Sequence, residues 1–298
     1  MRIPDFTTSN SLITRLQQLN TKQSTLQTQL SSQQRITVAS DDPAGMNRVM
    51  ELAAEKQQLQ QYARNSAQAT DISTASYAGV NQLKTISDRA GELAVLGSDG
   101  TSTASMPAYS AELNQLIEQG LQTANTQYAG QHLFGGTATD SAPFTATRDA
   151  SGNITGVTYN GSTSSPQFRV SDGAPVSPYT SGTSNQDMAT FLNNLVALRN
   201  GLSSGDANAV SAARPALETS ENNLLVTISD IGATQTRLQV SSDQNNARFD
   251  QLTTLSGQET DVDVASTTVQ FSRAQASYEA ALKTGAQVLQ TSLLDYIR

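Results

Sequence analysis

The chain has 298 residues and a formal net charge of −8, with 37% apolar and 15% charged side chains, a single His, no Trp and no Cys. Such an acidic chain lacks the Lys and Arg clusters that grip phosphates or anionic lipid, which argues against nucleic acid and charged membrane surfaces as partners. Without Cys there are no disulfides and no thiolate metal sites, and no stretch approaches the roughly 20 apolar residues of a membrane span.

The opening residues, MRIPDFTTSN, contain no apolar run of the kind that forms a secretory signal. Either cytoplasmic retention or export by a dedicated route without a cleavable signal is expected. Leu12, Leu16, Leu19, Leu26 and Leu30 then follow at steps of 4, 3, 7 and 4, with Gln23 at the missing position. This a/d heptad pattern predicts a helix with a narrow seam for partner helices.

ITVASDDPAG (36–45) breaks the pattern. Asp42 followed by Pro43 reads as an N-cap and a proline in the first turn of a new helix. Val49, Leu52, Leu59 and Ala63 carry that helix forward, then Val80, Leu83, Ile86, Ala90 and Leu93, with no proline in residues 44–97. GSDGTSTASMPAYS (97–110) interrupts, and a third helix with Leu113, Leu116, Ile117 and Leu121 is predicted to end near Gly130.

From Thr137 to about Asp187 the helical period vanishes and Gly, Ser, Thr and Pro cluster. NITGVTYNG (153–161) and QFRV (167–170) alternate like half-buried strands, and ASGN and YNGS read as turns. Helix resumes at 187–202. After SSGDA the most regular seam begins, with Leu217, Leu224, Ile228, Ile231, Leu238, Phe249 and Leu252 apolar, and Glu221, Gln235, Ser242 and Asn245 polar at the same 4-and-3 spacing. Polar seam residues weaken packing but fix register and partner. SGQETDVD (256–263) is read as the end of this register. The last helix, from about Asp261 to Ile297, places Val264, Phe271, Tyr278, Leu282, Leu289 and Leu293 on one side.

The two chain ends therefore mirror each other, each with an outer helix, a break and a longer inner helix. The expected fold is mainly α, a long antiparallel helical hairpin or coiled-coil rod formed by both chain ends, with a small β-rich module inserted in the middle. Residues 1–42 and 258–298 would form a terminal coiled-coil domain, 43–140 and 187–257 a helical rod domain, and 141–186 a small outer domain.

Chemistry-bearing motifs are scarce. His132 has no acid or second ligand at a useful spacing and reads as structural. Glu259, Asp261 and Asp263 read as complements to the positive end of the last helix. DASGN (149–153) starts like a calcium loop, but Asn160 stands where the loop needs Glu, so a turn is the better reading. Asn153 and Asn160 match the glycosylation acceptor pattern, which is common by chance. Phosphate-binding, nucleophile-elbow and zinc-protease motifs do not occur. No metal site, cofactor or catalytic residue is expected, and the enzyme reading is weak.

LSSQQRITVASDDPAG (30–45) resembles the N-terminal segment of bacterial flagellins, and ARNSAQATDIS (63–73) and ELAVLGSDGT (92–101) extend the likeness. The MRIP start, QYAGQHLFGGTATDSAPF (127–144) and the end ETDVDVASTTVQFSRAQASYEAALKTGAQVLQTSLLDYIR resemble the hook-associated protein 3 branch of that superfamily. The central module carries no such match.

The resemblance implies a structural protein at the hook–filament junction of the flagellum, exported without a cleavable signal peptide. It implies partners of four kinds: copies of the chain in a ring, another hook-associated junction protein, hook and filament subunits, and an export chaperone. Leu12, Leu16, Leu19, Leu26, Leu30, Phe271, Tyr278, Leu282, Leu289 and Leu293 would form the assembly seam, and Asp41, Asp42 and Pro43 the connector between an inner and an outer layer. The terminal helices are expected to be largely unfolded in the free monomer. The nearest rival is a short flagellin that builds the filament itself. A coiled-coil adhesin is more distant.

Overall fold

A computed structural model describes residues 4–99, 104–173 and 175–297, with side chains for 10–99, 104–173 and 175–287. Among these lie six helices and two small antiparallel sheets. The helices are α1 (Pro4–Ser32), α2 (Pro43–Ser98), α3 (Met106–Ala124), α4 (Gly182–Ser204), α5 (Ala207–Thr260) and α6 (Val264–Ile297). The strands are β1 (Gln127–Tyr128), β2 (Gln131–His132), β3 (Phe144–Arg148) and β4 (Ile154–Tyr159). The chain divides into two compact units, residues 1–58 with 248–298 and residues 59–247, and the divisions fall inside α2 and α5.

In the first unit α1 packs along α6. Leu12, Leu16, Leu19, Gln23 and Leu30 are half-buried and Leu26 is buried, so the heptad line drawn through Gln23 is a real stripe. The matching stripe on α6 is Thr267, Phe271, Ala274, Tyr278, Ala281 and Gly285. Its small members allow close approach: a Cβ on Gly285 would stand 2.7 Å from Leu12 Cδ2. The first part of α2 lies beside the last part of α5, tied by Arg248 Nε donating to Glu55 Oε1 at 2.8 Å and by Lys56 Nζ 5.1 Å from the Phe249 ring centroid.

In the second unit α2 and α5 again pair. Lys84 reaches Glu221 at 3.3 Å, which gives one polar seam residue its partner. The α2 seam runs Leu59, Tyr62, Ser66, Ala69, Ser73, Ser76, Val80, Leu83, Ser87, Ala90 and Ala94, all buried at strict 3-and-4 steps. Ala63 is off this line and only half-buried. Small hydroxyl residues continue the stripe where no large apolar residue signals it. The main core gathers Leu83, Leu93, Leu113, Ile117, Phe134, Phe191 and Leu192 from α2, α3, α4 and the β2-following loop.

Three boundaries differ from the sequence reading. The third helix stops at Ala124 rather than near Gly130, because β1 and β2 form a tight hairpin whose two turn residues, Ala129 (φ 51) and Gly130 (φ 81), both have positive φ. The helix expected from 187 begins at Gly182, capped by the Ser181 hydroxyl accepting from Ser184 N–H. The α5 helix passes through Ser256 and Gly257 and ends at Thr260, since a single Gly weakens a helix without ending it.

Strand β4 lies within the predicted strand at 153–161 and pairs with β3, which the sequence did not signal, and Asp149 closes the turn by accepting from the N–H groups of Ser151 and Asn153. QFRV is not a strand: only Phe168 and Val176 pair, as an isolated bridge. The neighbouring carbonyls there are taken by rod side chains instead.

Candidate functional site

The two sequence breaks, read at 36–45 and 256–263, come together within the first unit through residues 33–35 and 260–262. Gln34 and Asp261 form an antiparallel bridge, Arg35 N–H donates to Thr260 O at 2.6 Å and Val262 N–H to Gln33 O at 3.1 Å. Gln33 turns the chain at φ 58, in the left-handed region that few residues other than Gly occupy.

Asp41 and Asp42 have separate tasks. Asp41 Oδ2 accepts from Thr37 N–H at 3.0 Å, Val38 N–H at 3.1 Å and the Thr37 hydroxyl at 3.0 Å. The Thr37 N–H foremost, with Val38 N–H, holds the Asp41 carboxyl below the ordinary carboxylate range. Asp42 caps α2: its Oδ1 accepts from Gly45 N–H at 2.9 Å, with Pro43 as the first helical residue. That N–H, and then the Arg35 guanidinium, lower the Asp42 pKa. Ile36 is buried beside this cap, and a Cβ on Gly45 would stand 2.7 Å from Ile36 Cδ1 and 2.6 Å from Asp42 Oδ2.

Arg35 joins the elements. It donates to Asp42 Oδ2 at 3.1 Å and to Glu259 O at 2.9 Å, while its own carbonyl accepts from Gln29 Nε2 at 2.9 Å. Arg48 adds a bidentate pair to Glu259, at 2.9 and 2.8 Å, which lowers the Glu259 pKa. Of the three acids assigned to the start of the last helix, only Asp263 serves there, accepting from Ala265 N–H at 3.0 Å and Ser266 N–H at 3.2 Å. Glu259 is held by the two arginines and Asp261 by the bridge, because α5 extends far enough to bring them there.

The assembly-seam residues fall into two groups. Leu12, Leu16, Leu19, Leu26, Leu30, Phe271 and Tyr278 face the α1–α6 contact to differing depth. Leu282 stands beside that contact and is 46% exposed, on the flank that also carries Val264 at 49%. The side chains of Leu289 and Leu293 lie outside the described residues. Of the rod seam, Leu217, Leu224, Ile231, Leu238 and Leu252 are buried, and Ile228 and Phe249 are half-buried. Ile228 packs on the main core, and Phe249 receives Lys56.

His132 is buried with both ring nitrogens engaged, Nδ1 by Asn125 O at 3.0 Å and Nε2 by Gln127 Nε2 at 2.9 Å. These contacts fix the β1–β2 hairpin to the end of α3. Asn153 and Asn160 use their amides within the hairpin region, toward Asp149 and Thr145. Among the described residues no group of three or more acidic or His side chains is placed to hold a metal ion, and no helix is long and apolar enough to cross a membrane.

Residues 4–139 match the sequence model of the bacterial flagellin N-terminal helical region. No curated protein matches the chain. Among solved structures, a Vibrio parahaemolyticus protein assigned as flagellar hook-associated is 19% identical, with a TM-score of 0.66 over 74% of this chain and 100% of that one. Bacillus cereus FlgL is 18% identical, with a TM-score of 0.58 over 72% and 100% of the two chains. The flagellar junction protein FlgL from Legionella pneumophila is 12% identical, with a TM-score of 0.54 over 72% and 99%. At these identities the likeness is one of fold.

Proposed function

We propose that this chain is a flagellin-superfamily structural component of the bacterial flagellum and forms the junction between hook and filament, adapting one lattice to the other. The observation that carries this reading is a fold shared over the whole length of a hook-associated protein and of FlgL, together with the flagellin N-terminal region at 4–139. The role is mechanical and requires no catalytic group.

In this reading copies of the chain stand in a ring, with a second junction protein and with hook and filament subunits as neighbours. Residues 1–42 and 258–298 are the terminal assembly domain, and Asp41, Asp42 and Pro43 connect it to the rod, with Arg35 linking Asp42 to Glu259. Leu282, with Leu289 and Leu293 of the same sequence seam, meets neighbouring copies. The chain reaches its place outside the cell by flagellar export, escorted by a chaperone. A short, self-polymerising flagellin is the alternative, and the match to the flagellin N-terminal region is what favours it.

Complementation tests the proposal. In cells lacking the chain, the unaltered protein restores motility, whereas Leu289→Asp does not, although the purified variant keeps its helical content. Motility with the Leu289→Asp variant would overturn the assigned role of that seam.

A further inference from the structure

The polar residue Asn245 is buried in the middle of the most regular apolar seam of the chain. Its side chain does not pair across the helices. Asn245 Nδ2 donates to Val170 O at 2.8 Å, and Ser241 Oγ donates to the same carbonyl at 3.0 Å. From α2, Asn65 Nδ2 donates to Arg169 O at 2.7 Å and the Tyr62 hydroxyl to Asp172 Oδ1 at 2.8 Å. Two donors from each rod helix thus hold one short extended piece of the inserted segment.

The apolar contacts repeat this arrangement. The main core extends along α2 and α5 as far as Ile72 and Ile231. Beyond it lies a separate cluster of Ala69 from α2, Leu238 from α5, and Val170 and Val176 from the insertion, with Phe168 packed against it. Phe168 and Val176 exchange both backbone hydrogen bonds, at 2.7 and 2.9 Å, which keeps the two valines side by side. On this stretch the α2 seam offers Ser66, Ala69, Ser73 and Ser76, all small, with Ile72 beside them packed on the main core.

We propose that Phe168–Val170 with Val176 is a strap that staples α2 to α5, and that Tyr62, Asn65, Ser241 and Asn245 are its receptor. The insertion is then a working part of the rod rather than an outer appendage. The strap sets large side chains against the small residues of α2, and the buried donors of Ser241 and Asn245 select it through the Val170 carbonyl.

Full-length Asn245→Leu and Gln235→Leu variants, compared by amide hydrogen exchange and melting temperature, test this. Both substitutions improve the heptad, so an ordinary polar seam residue would gain stability in either case. The strap account expects Gln235→Leu to hold or gain stability. It expects Asn245→Leu to lower the melting temperature and to speed exchange of the Phe168 and Val176 amides at least tenfold.

Should Asn245→Leu not fold, Val176→Ala gives the same reading. Its expected result is faster exchange at 62–69 and 238–245 on the helices themselves, with 83–93 and 191–202 unchanged. Stabilisation by Asn245→Leu, or loss of protection in Val176→Ala confined to the strap, would overturn the proposal.

Discussion

Gly45 shows how a single position can reverse an ordinary rule. An exposed helical Gly replaced by Ala usually stabilises by about 0.5–1 kcal/mol. At position 45 the added Cβ would press on the buried Ile36 methyl and on the capping oxygen of Asp42. Gly45→Ala is therefore expected to cost about 1–3 kcal/mol by overpacking, read as a lower urea midpoint. The carboxylates around it set a pH dependence with a definite sign. Asp41, Asp42 and Glu259 all have lowered pKa values in the folded chain, caused by N–H donors for the first two and by Arg48 for the third. Their contribution is present above the ordinary carboxylate range, about pH 4, and is lost as the pH falls below it. Amides of Thr37, Val38 and Gly45 should lose protection in acid before those of the α4 core. Equal protection of both regions down to pH 3 would contradict the assignment.

At the level of elements, legibility followed the size of the seam residues. The heptads of α1 and α5 could be read because leucine and isoleucine mark them. The α2 stripe between Leu59 and Val80 could not, because Ser66, Ser73 and Ser76 carry no apolar signal although each is buried. The hydroxyls of Ser66, Ser73, Ser76 and Ser87 have no hydrogen-bond partner among the described residues. A buried unpaired hydroxyl is costly, so Ser73→Ala should stabilise the chain by roughly 1 kcal/mol in thermal unfolding. A lower melting temperature would mean that the hydroxyl has a partner after all. The β1–β2 hairpin was missed for a different reason: its turn rests on Ala129 at positive φ, a conformation that alanine seldom signals. The terminal pair allows a direct contrast between two leucines. Leu26 is 6% exposed and Leu282 is 46% exposed. Leu26→Ala should destabilise the α1–α6 pair by about 2 kcal/mol. Leu282→Asp should leave the monomer within about 0.5 kcal/mol of its parent and act only on assembly. Equal stability losses would show that Leu282 is already buried in the free chain.

For the whole molecule, the mirrored ends, the helical predominance and the central β-rich stretch were all readable, since periodicity and composition carry them. The joining of the breaks through Arg35 was not, because a contact between residues 35 and 259 depends on tertiary pairing that no local pattern announces. The strap was hidden for the same reason, although the alternation of QFRV and the polar Asn245 in the heptad were traces of it. The functional reading rests on how the paired terminal helices behave when copies meet. Narrow-seamed helices gain most of their stability from packing. Electron microscopy of the concentrated protein, with and without isolated hook and filament fragments as seeds, tests this most directly. The junction account predicts a short layer that adds to hook-type ends and then stops. Long filaments grown by the protein alone would contradict it and identify a filament-forming flagellin instead.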